Sequence, residues 1–279
     1  MKSGRVSQTA LKIGLIMIAL NEKAEWKSRL PQGLAELTER LILAAGVTGY
    51  GQRMIRLNKK PWAIRLYEYF EAKVPGTFEG VAERKIFMNE QVLAAIKAGA
   101  KQVLVVGAGF DTLCLQLATQ FPRVEFFEVD HPATSAAKAK GVAQEGPPEN
   151  MTLLAADLNE TPLSVLMRKA GRYDTSAQSV VVAEGLFPYL KEEVVLQVFC
   201  EVAACTGPGT WVVFSHGVTI KEHRIANALL RLIGEPWLSS CSSAGLSGYI
   251  GPAWSVIATR GARSTRDLEG FAVAEKLEI

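Results

Sequence analysis

The sequence predicts an α/β fold, with a helical N-terminal region followed by a doubly wound, mostly parallel sheet of seven strands. First, the apolar run Val103–Val106 ends abruptly in Gly107-Ala108-Gly109. Second, the next apolar run ends in an acid, Asp130. Third, apolar runs typical of parallel strands buried on both faces alternate with helical segments after residue 101. Strand, glycine turn, helix, strand and acid together are the usual opening of a nucleotide-binding α/β domain.

The composition indicates a globular protein without a strong electrostatic field. The chain has 279 residues, 48% hydrophobic and 21% charged, so it can bury the core of one large or two small domains. Its formal net charge is only +3. We therefore interpret the basic cluster of Arg53, Arg56, Lys59 and Lys60 as a solvated helix face, and we expect no nucleic-acid partner.

The cysteines and the N-terminal apolar stretch bear on metal binding and on targeting. Cys114, Cys200, Cys205 and Cys241 lack the spacing of metal ligands and lie among apolar residues. We expect reduced core thiols and no metal site. The apolar stretch 13–20 is too short to span a bilayer, and no small-residue cleavage site follows it. The sequence therefore predicts a cytoplasmic protein without a membrane partner.

The first 98 residues are expected to form a helical cap. Ser7 is a suitable N-cap, and apolar residues then recur at helical spacing. The segment 75–78 is a predicted turn. The expected helices lie at 7–20, around 34–42, through 62–70 and at 83–97.

Residues 99–279 are expected to form the sheet domain. The predicted strands are 102–106, 124–129, 151–156, 178–183, 210–215, 254–259 and 271–277. The predicted helices are 112–120, 132–144, 164–170, 192–206 and 223–233. We expect the last strand to run antiparallel and to be added at the sheet edge.

Acidic residues follow three successive strands of this predicted sheet. The second, third and fourth strands end in Asp130, Asp157 and Glu184, and the fifth ends in Ser215-His216. Ligands of such sheets bind at the carboxyl ends of the strands, and acids that end buried strands need partners. A cofactor with hydroxyls, an exocyclic amine and positive centres, such as S-adenosylmethionine, would supply these partners.

The glycine turn itself carries an acid, Asp111, and has Thr112 where a dinucleotide fingerprint has a third small residue. A carboxylate beside a pyrophosphate is unfavourable because like charges repel at short range. Asp111 therefore suits a cofactor with a cationic centre. The alternative is that Asp111 and Thr112 only cap the helix that follows.

Four motifs occur in a fixed order: GAGFDT (107–112), EVDHPA (128–133) followed by Lys138, AADL (155–158) and AEGLFPYL (183–190). With these motifs the sequence resembles the leucine carboxyl methyltransferase family, which includes bacterial S-adenosylmethionine-dependent O-methyltransferases of small molecules. The segments VSQTAL, VAERKIFMNE, GEPW and AEKL are also similar, so the resemblance spans nearly the whole chain. It implies a methyltransferase-type sheet and S-adenosylmethionine as the cofactor.

The resemblance also implies the residues that bind the cofactor. Arg84 would pair with the methionine carboxylate, the glycines would let the backbone approach, and Glu184 would lie near the ammonium or sulfonium group. Lys12 is a further candidate partner for the carboxylate. The implied set is Arg84, Gly107, Gly109, Asp111, Asp130, His131, Asp157, Leu158 and Glu184.

The ribose and the adenine have separate partners in this scheme. Asp130 would accept hydrogen bonds from the ribose hydroxyls, with His131 as a pocket wall. Asp157 would accept from the adenine amine, and Leu158 would pack on the ring. The chain departs from the family pattern at Met88-Asn89, where an acid is usual, and at Leu113-Cys114, where many relatives carry an arginine.

The acceptor side is less defined by the sequence. Tyr189 and His216 are the candidate residues to touch the methyl acceptor, and His216 faces the cleft if its strand has the expected register. The alternative is that His216 ends a strand and bonds to backbone. The segment 217–252 is expected to form a lid, with Ser239–Gly248 as its most mobile part.

Three functions remain open from the sequence. The leading one is O-methylation of a carboxylate or hydroxyl on a small molecule or peptide end. The second is a cofactor-binding protein without catalysis. The third is a nicotinamide-dependent dehydrogenase, although the acids Asp111, Asp157 and Glu184 argue against it. The oligomeric state is left open.

Overall fold

The computed structural model describes residues 5–73, 75–218, 237–261 and 268–278. The first hundred residues are helical as predicted, because apolar side chains recur there at helical spacing. The Ser7 hydroxyl caps the first helix by accepting a hydrogen bond from the Ala10 N–H at 3.2 Å. The helices are α1 (Gln8–Leu20), α2 (Ala24–Arg29), α3 (Leu34–Ala45), α4 (Gln52–Asn58), α5 (Pro61–Lys73) and α6 (Glu79–Lys97).

Strands and helices then alternate, which confirms the predicted α/β class. The strands are β1 (Gln102–Val106), β2 (Glu125–Asp130), β3 (Met151–Ala155), β4 (Ser179–Ala183), β5 (Trp211–Gly217), β6 (Trp254–Gly261) and β7 (Glu269–Lys276). The helices are α7 (Leu113–Ala118), α8 (Pro132–Glu145), α9 (Leu163–Lys169), α10 (Glu192–Ala203) and α11 (Leu246–Ile250). The predicted helix at 223–233 lies outside the described residues.

The seven strands form one sheet in the order β3-β2-β1-β4-β5-β7-β6. β1 to β5 pair in parallel, and β7 pairs antiparallel with both β5 and β6. The last strand is antiparallel as predicted, but the prediction that it lies at the sheet edge is wrong. The residues from Gly270 to Ala274 are all buried, so β7 is covered on both faces, whereas β6 alternates in exposure as an edge strand does.

The sheet has a packed layer on each face because successive strand residues point to opposite sides. In β1, Leu104 and Val106 belong to the cluster formed with α9, α10 and α11. Val103 and Val105 belong to the cluster formed with α6 and α7. The carboxyl ends of the parallel strands therefore lie between two buried layers that hold them in place.

The N-terminal helices are part of the same packing. Phe87, Met88 and Val92 of α6 pack directly on the sheet, so the departure from the family pattern at Met88 fills core volume. α3 packs on α8 so closely that a Cβ on Gly141 would stand 2.9 Å from the Cα of Leu41. The helical region is thus tied to the sheet domain through α6 and α8.

Two other expectations differ from the structure. Cys114, Cys205 and Cys241 are buried thiols, but Cys200 is exposed, because its position on α10 faces away from the sheet. α5 is a helix as predicted, yet four of its large apolar side chains are exposed: Trp62, Leu66, Tyr69 and Phe70.

The described part of the expected lid is packed rather than open. The Ser239 hydroxyl donates to the Phe187 carbonyl at 2.9 Å and lies 2.8 Å from the Tyr249 hydroxyl. Leu246, Tyr249 and Ile250 are buried in the core cluster beside α10. Within Ser239–Gly248, Ser239, Cys241 and Leu246 are buried, whereas residues 242–245, 247 and 248 are exposed, so the mobility of this segment stays a prediction.

Within the described ranges, no helix has the length and apolar character needed to cross a membrane. The same part of the chain contains no group of three His, Cys, Asp or Glu side chains placed to hold a metal ion.

Candidate functional site

The glycine turn joins β1 to α7 at the carboxyl edge of the sheet. Gly107 and Gly109 have φ values of 71° and 50°, a region that residues with a Cβ rarely adopt. The Gly107 N–H donates to the Val129 carbonyl at 2.8 Å, which fixes the turn against β2. A Cβ on Gly109 would stand 3.0 Å from the Cβ of Ala10, so α1 lies directly over the turn. The turn therefore packs against the cap at Gly109, while Gly107 is half-buried beside Leu186.

Asp130 stands opposite this turn at the end of β2. Its Oδ2 accepts a hydrogen bond from the Gly109 N–H at 2.5 Å, and its Oδ1 accepts from the His131 N–H at 2.6 Å. Burial raises the pKa of the Asp130 carboxyl, and these two hydrogen bonds act against that rise. A carboxylate has about four acceptor positions, so two are left for ligand hydroxyls.

Five charged residues from distant parts of the chain meet beside the turn, and we refer to them as the charge cluster: Arg84, Lys85, Asp111, Glu184 and Glu269. Arg84 Nε lies 3.3 Å from a Glu184 oxygen, and Arg84 Nη1 donates to both Glu269 oxygens at 2.8 and 2.7 Å. Lys85 Nζ lies 2.7 Å from Glu184 and 3.0 Å from Asp111. Buried charges persist only when they are paired in this way.

Asp111 has one satisfied and one unsatisfied oxygen. Its Oδ1 accepts from the N–H of Leu113, the first residue of α7, at 3.0 Å, whereas Thr112, the N-cap residue, forms no side-chain cap hydrogen bond. Its Oδ2 is buried and has no hydrogen-bond partner among the described residues. Burial acts to raise the pKa of the Asp111 carboxyl, but Lys85 and Lys138 outweigh it and hold that pKa below its ordinary value. Asp111 therefore stays ionised with an unsatisfied oxygen at the turn.

The backbone at the end of β4 fits closely around Arg84. Gly185 has φ of 60°, and a Cβ there would stand 3.2 Å from the Arg84 Cζ. The Gly185 N–H donates to the Ser215 hydroxyl at 2.9 Å. Only a glycine lets the chain pass over the guanidinium plane at this distance.

Asp157, Leu158 and His131 lie on the other side of Asp130. Asp157 Oδ1 accepts from the Asn159 N–H at 2.9 Å and from the Asn159 side chain at 2.8 Å, and these hydrogen bonds lower the pKa of Asp157. Its Oδ2 lies 3.8 Å from Nε2 of His131. Leu158 is partly buried against the core beside it. The predicted ribose and adenine residues therefore follow one another along one edge.

The two acceptor-side candidates occupy different environments. Tyr189 ends a short 3-10 helix, Phe187–Tyr189, just after β4. His216 is only 2% exposed, and its Nδ1 lies 3.1 Å from the Cys241 carbonyl. Its ring packs against Gly270 in the neighbouring strand. The expectation that His216 faces the cleft is therefore not met; the residue ends β5 bonded to backbone.

Three residues of the site are absent from the sequence-based set: Lys85, Gly185 and Glu269. Lys85 follows Arg84 directly. A pair of adjacent cations in the helix before the first strand is the sequence feature that could have identified Lys85. Glu269 lies 185 positions from its partner Arg84, so no local pattern indicated it. Lys12 lies exposed on α1.

These residues fit the adenosyl cofactor that the resemblance implies. The glycine turn allows a ligand to approach the backbone, Asp130 keeps acceptor positions for two hydroxyls, and Asp111 presents a buried anionic oxygen. A phosphate group would meet Asp111 unfavourably, whereas an ammonium group would satisfy it.

Known proteins resemble the chain in sequence and in fold. The sequence profile described as leucine carboxyl methyltransferase matches residues 17–203. A Mycobacterium ulcerans protein, provisionally named as an S-adenosyl-L-methionine-dependent methyltransferase, is 28% identical over 189 residues, or 66% of this chain and 60% of that protein. The chain thus spans about 60% of the length of this curated relative.

Two crystal structures share the fold. A provisionally named methyltransferase from Thermobifida fusca superposes with a TM-score of 0.63 at 19% identity, covering 85% of this chain and 94% of that one. A DUF574 family protein from Streptomyces avermitilis superposes with a TM-score of 0.63 at 14% identity, covering 86% and 97%. At these identities the likeness concerns the fold alone.

Proposed function

Because the chain belongs to the leucine carboxyl methyltransferase family, we propose that it is an S-adenosylmethionine-dependent methyltransferase that methylates an oxygen acceptor. The observation that carries this proposal is the buried, unpartnered oxygen of Asp111 beside the glycine turn. It calls for a cationic ligand group, and the Asp130 carboxylate calls for a ligand with hydroxyls.

We assign the polar residues as follows. Asp130 accepts hydrogen bonds from the ribose hydroxyls, and Asp157 with Leu158 holds the adenine, with His131 as the wall between them. Asp111 pairs with the ammonium group of the methionine part. Lys85 holds the carboxylates of Asp111 and Glu184 in place, because it lies within 3.0 Å of both.

Arg84 is assigned to the carboxylate of the methionine part. Glu184 takes the hydrogen bond from Nε, and Glu269 takes those from Nη1. Neither carboxylate accepts from Nη2, so this nitrogen is the one that we assign to the cofactor. Five fixed N–H donors let one guanidinium serve both glutamates and a further carboxylate.

The cofactor supplies an activated methyl group on a sulfonium centre. The contribution of the protein is to hold donor and acceptor in line at short distance, which supplies much of the rate enhancement in such displacements. α1 over the glycine turn keeps water from that side of the site. A carboxylate acceptor is already a nucleophile, so it needs no general base.

The acceptor is proposed to be a carboxylate or hydroxyl on a small molecule or a peptide end. A hydroxyl acceptor would want a general base, but His216, the candidate base, is buried and hydrogen-bonded to backbone. A carboxylate acceptor needs no base, so it fits the described residues better. Burial lowers the pKa of His216, so it stays neutral at neutral pH. Tyr189 remains the side chain that we assign to acceptor contact.

The ribose assignment is tested by Asp130→Ala. We expect this variant to bind S-adenosylmethionine and its demethylated product more weakly by roughly 1–3 kcal/mol, because ligand hydroxyls lose their acceptors. Isothermal titration calorimetry measures the change. The control is Glu149→Ala, since Glu149 is an exposed acid before β3, at the opposite end of the strands. Equal affinity of Asp130→Ala and the unmodified protein would contradict the assignment.

Catalysis is tested separately with cofactor labelled on its methyl group. Incubation with fractionated cell extract and with candidate carboxylic acids should yield a labelled, base-labile ester. Saturable cofactor binding without any transfer to these acceptors would instead favour a binding protein without catalysis.

A further inference from the structure

The outward side of α4 and α5 carries a concentration of exposed apolar side chains, which we refer to as the α4–α5 face. Ten large apolar residues are exposed in the described part of the chain, and six of them belong to this face. Trp62 and Tyr69 are the most exposed, at 57% and 58%. The six are Met54, Leu57, Trp62, Leu66, Tyr69 and Phe70.

The face is a regular helical stripe. Three of its residues lie four, seven and eight positions after Trp62, namely Leu66, Tyr69 and Phe70. This spacing puts all four on one side of α5. Such a stripe ordinarily packs on a core. Here it points away from the protein, so the apolar residues are available to a partner.

The opposite side of the two helices is anchored to the protein. Ile55 and Ala63 are buried, and the Asn58 amide donates to the Leu15 carbonyl at 2.5 Å. The Tyr67 hydroxyl donates to the side-chain Oδ1 of Asn58. These contacts fix which side of α4 and α5 faces α1, so the outward orientation of Trp62 follows from the packing of the helices.

The charged residues around the face are mostly basic. Residues 51–73 contain six basic and two acidic side chains. Both acids have partners in the protein: Glu68, which is exposed, lies 3.5 Å from Lys23, and Glu71 accepts from the Phe78 N–H at 2.7 Å. The outward surface is therefore basic.

The basic side chains include several without an anionic partner. Arg53, Arg56, Lys60 and Arg65 form no ion pair with any described residue, whereas Lys59 pairs with Glu39 at 2.6 Å. A cleft of about 430 Å³ at the end of α4 has a lining of Arg53, Arg56, Leu57, Lys59 and Lys60. This cleft has the charge and the donors to take a phosphate headgroup.

We propose that the α4–α5 face binds the surface of a membrane rich in anionic phospholipids, with α5 lying in the plane of the interface. A basic helix with Trp, Phe and Leu on one side is the type of element that enters the headgroup region. Trp and Tyr favour that depth, and unpaired basic residues are attracted to anionic lipid. A second copy of the chain would bring like charges together, which disfavours self-association through this face.

This inference replaces the reading of Arg53, Arg56, Lys59 and Lys60 as a merely solvated face. It also departs from the expectation of no membrane partner, because the proposed contact is with the membrane surface. It involves no helix that spans the membrane. The aliphatic side chains Met54, Leu57 and Leu66 favour a lipid over a nucleic acid, because they offer apolar area and no ring for base stacking.

The test is flotation of the full-length protein with vesicles of phosphatidylglycerol and phosphatidylcholine, compared with vesicles of phosphatidylcholine alone. We expect binding to the anionic vesicles, weakened by added salt. Trp62 is also a built-in reporter, because Trp26, Trp237 and Trp254 are buried and Trp211 is half-buried. Its emission should move to shorter wavelength with anionic vesicles, and this change should be lost in Trp62→Phe.

Two double variants separate the apolar and the basic parts. Trp62→Ser with Phe70→Ser, and Arg56→Gln with Lys60→Gln, should each bind anionic vesicles roughly tenfold more weakly or worse. Matched controls change exposed residues elsewhere: Val165→Ser with Ile257→Ser, and Lys169→Gln with Lys191→Gln. The controls should bind as the unmodified protein does, and circular dichroism checks that all variants fold.

The proposal is overturned if the unmodified protein does not float with anionic vesicles, or if the controls lose binding as much as the variants of the face. The proposal is also overturned if an experiment shows that one of two other partners occupies the α4–α5 face. One is a short single-stranded oligonucleotide that binds through this face while vesicles do not. The other is a dimer in sedimentation velocity that Trp62→Ser with Phe70→Ser dissociates.

Discussion

At the scale of single residues, the site depends on pairs that hold buried charges in fixed positions. Asp111 is ionised because Lys85 lies 3.0 Å away, and Arg84 is fixed because Glu184 and Glu269 flank it. Removing one member of such a cluster leaves an uncompensated charge, which is why these residues act together. His216 is the contrasting case, a buried group that is kept neutral.

The neutral state of His216 gives a pH prediction. Burial lowers the pKa of His216 in the folded protein below its ordinary value of 6.5, and hydrogen bonds to backbone only partly oppose this. The unfolded chain therefore binds the proton more readily, so the stability that His216 contributes is present above pH 6.5 and is lost as the pH falls through the folded pKa.

His216→Asn keeps a donor near the Cys241 carbonyl and removes the titrating ring. We expect the unmodified protein to lose about 1 kcal/mol more of its unfolding free energy than His216→Asn between pH 7.5 and pH 5.5. Urea unfolding at both pH values measures this. An equal loss in the two proteins would show that His216 is not held neutral by burial.

At the scale of elements, close helix contacts fix the cap relative to the site. α3 meets α8 at Gly141, and the N-cap residue of α8 is His131, next to Asp130. α1 covers the glycine turn through Ala10. The position of Asp130 therefore depends on how closely α3 and α8 can approach each other, and that distance is set by a residue without a side chain.

Gly141→Ala tests this contact. The added Cβ would stand 2.9 Å from the Leu41 Cα and 2.7 Å from its Cδ2, so the helices must separate. We expect a loss of roughly 1–3 kcal/mol in unfolding free energy from overpacking, measured by urea unfolding.

The matched control is Gly80→Ala in α6, where a Cβ would meet nothing within 4 Å. This change should be neutral or slightly stabilising, because alanine favours helix over glycine. Similar effects of the two substitutions would mean that the α3–α8 contact does not limit the packing.

At the scale of the whole molecule, the division into a cap, residues 1–98, and a sheet domain, residues 99–279, is a proposal about organisation. α6 belongs to the first region in sequence, yet Phe87, Met88 and Val92 pack in the core beneath the sheet. Leu11 and Ile18 of α1 pack with Phe110 and Leu115 beside the glycine turn. The shared core makes independent folding of either region unfavourable.

We therefore expect one cooperative thermal transition in calorimetry, with equal calorimetric and van't Hoff enthalpies. Saturating S-adenosylmethionine at about a hundred times its dissociation constant should add about 2.7 kcal/mol to the unfolding free energy. Two resolved transitions, with only the second moved by the cofactor, would instead support separate units.

The sequence by itself determined what depends on neighbouring residues. The seven strands, most of the helices, the glycine turn, Asp130 and the family followed from local apolar patterns and ordered motifs. The tertiary structure decided what depends on distant partners: the pairing of Arg84 with Glu269, the buried state of His216 and the inner place of β7. It also decided that Trp62 faces outward. A periodic pattern states that a side of a helix is apolar, but only the packed chain determines whether another element covers it.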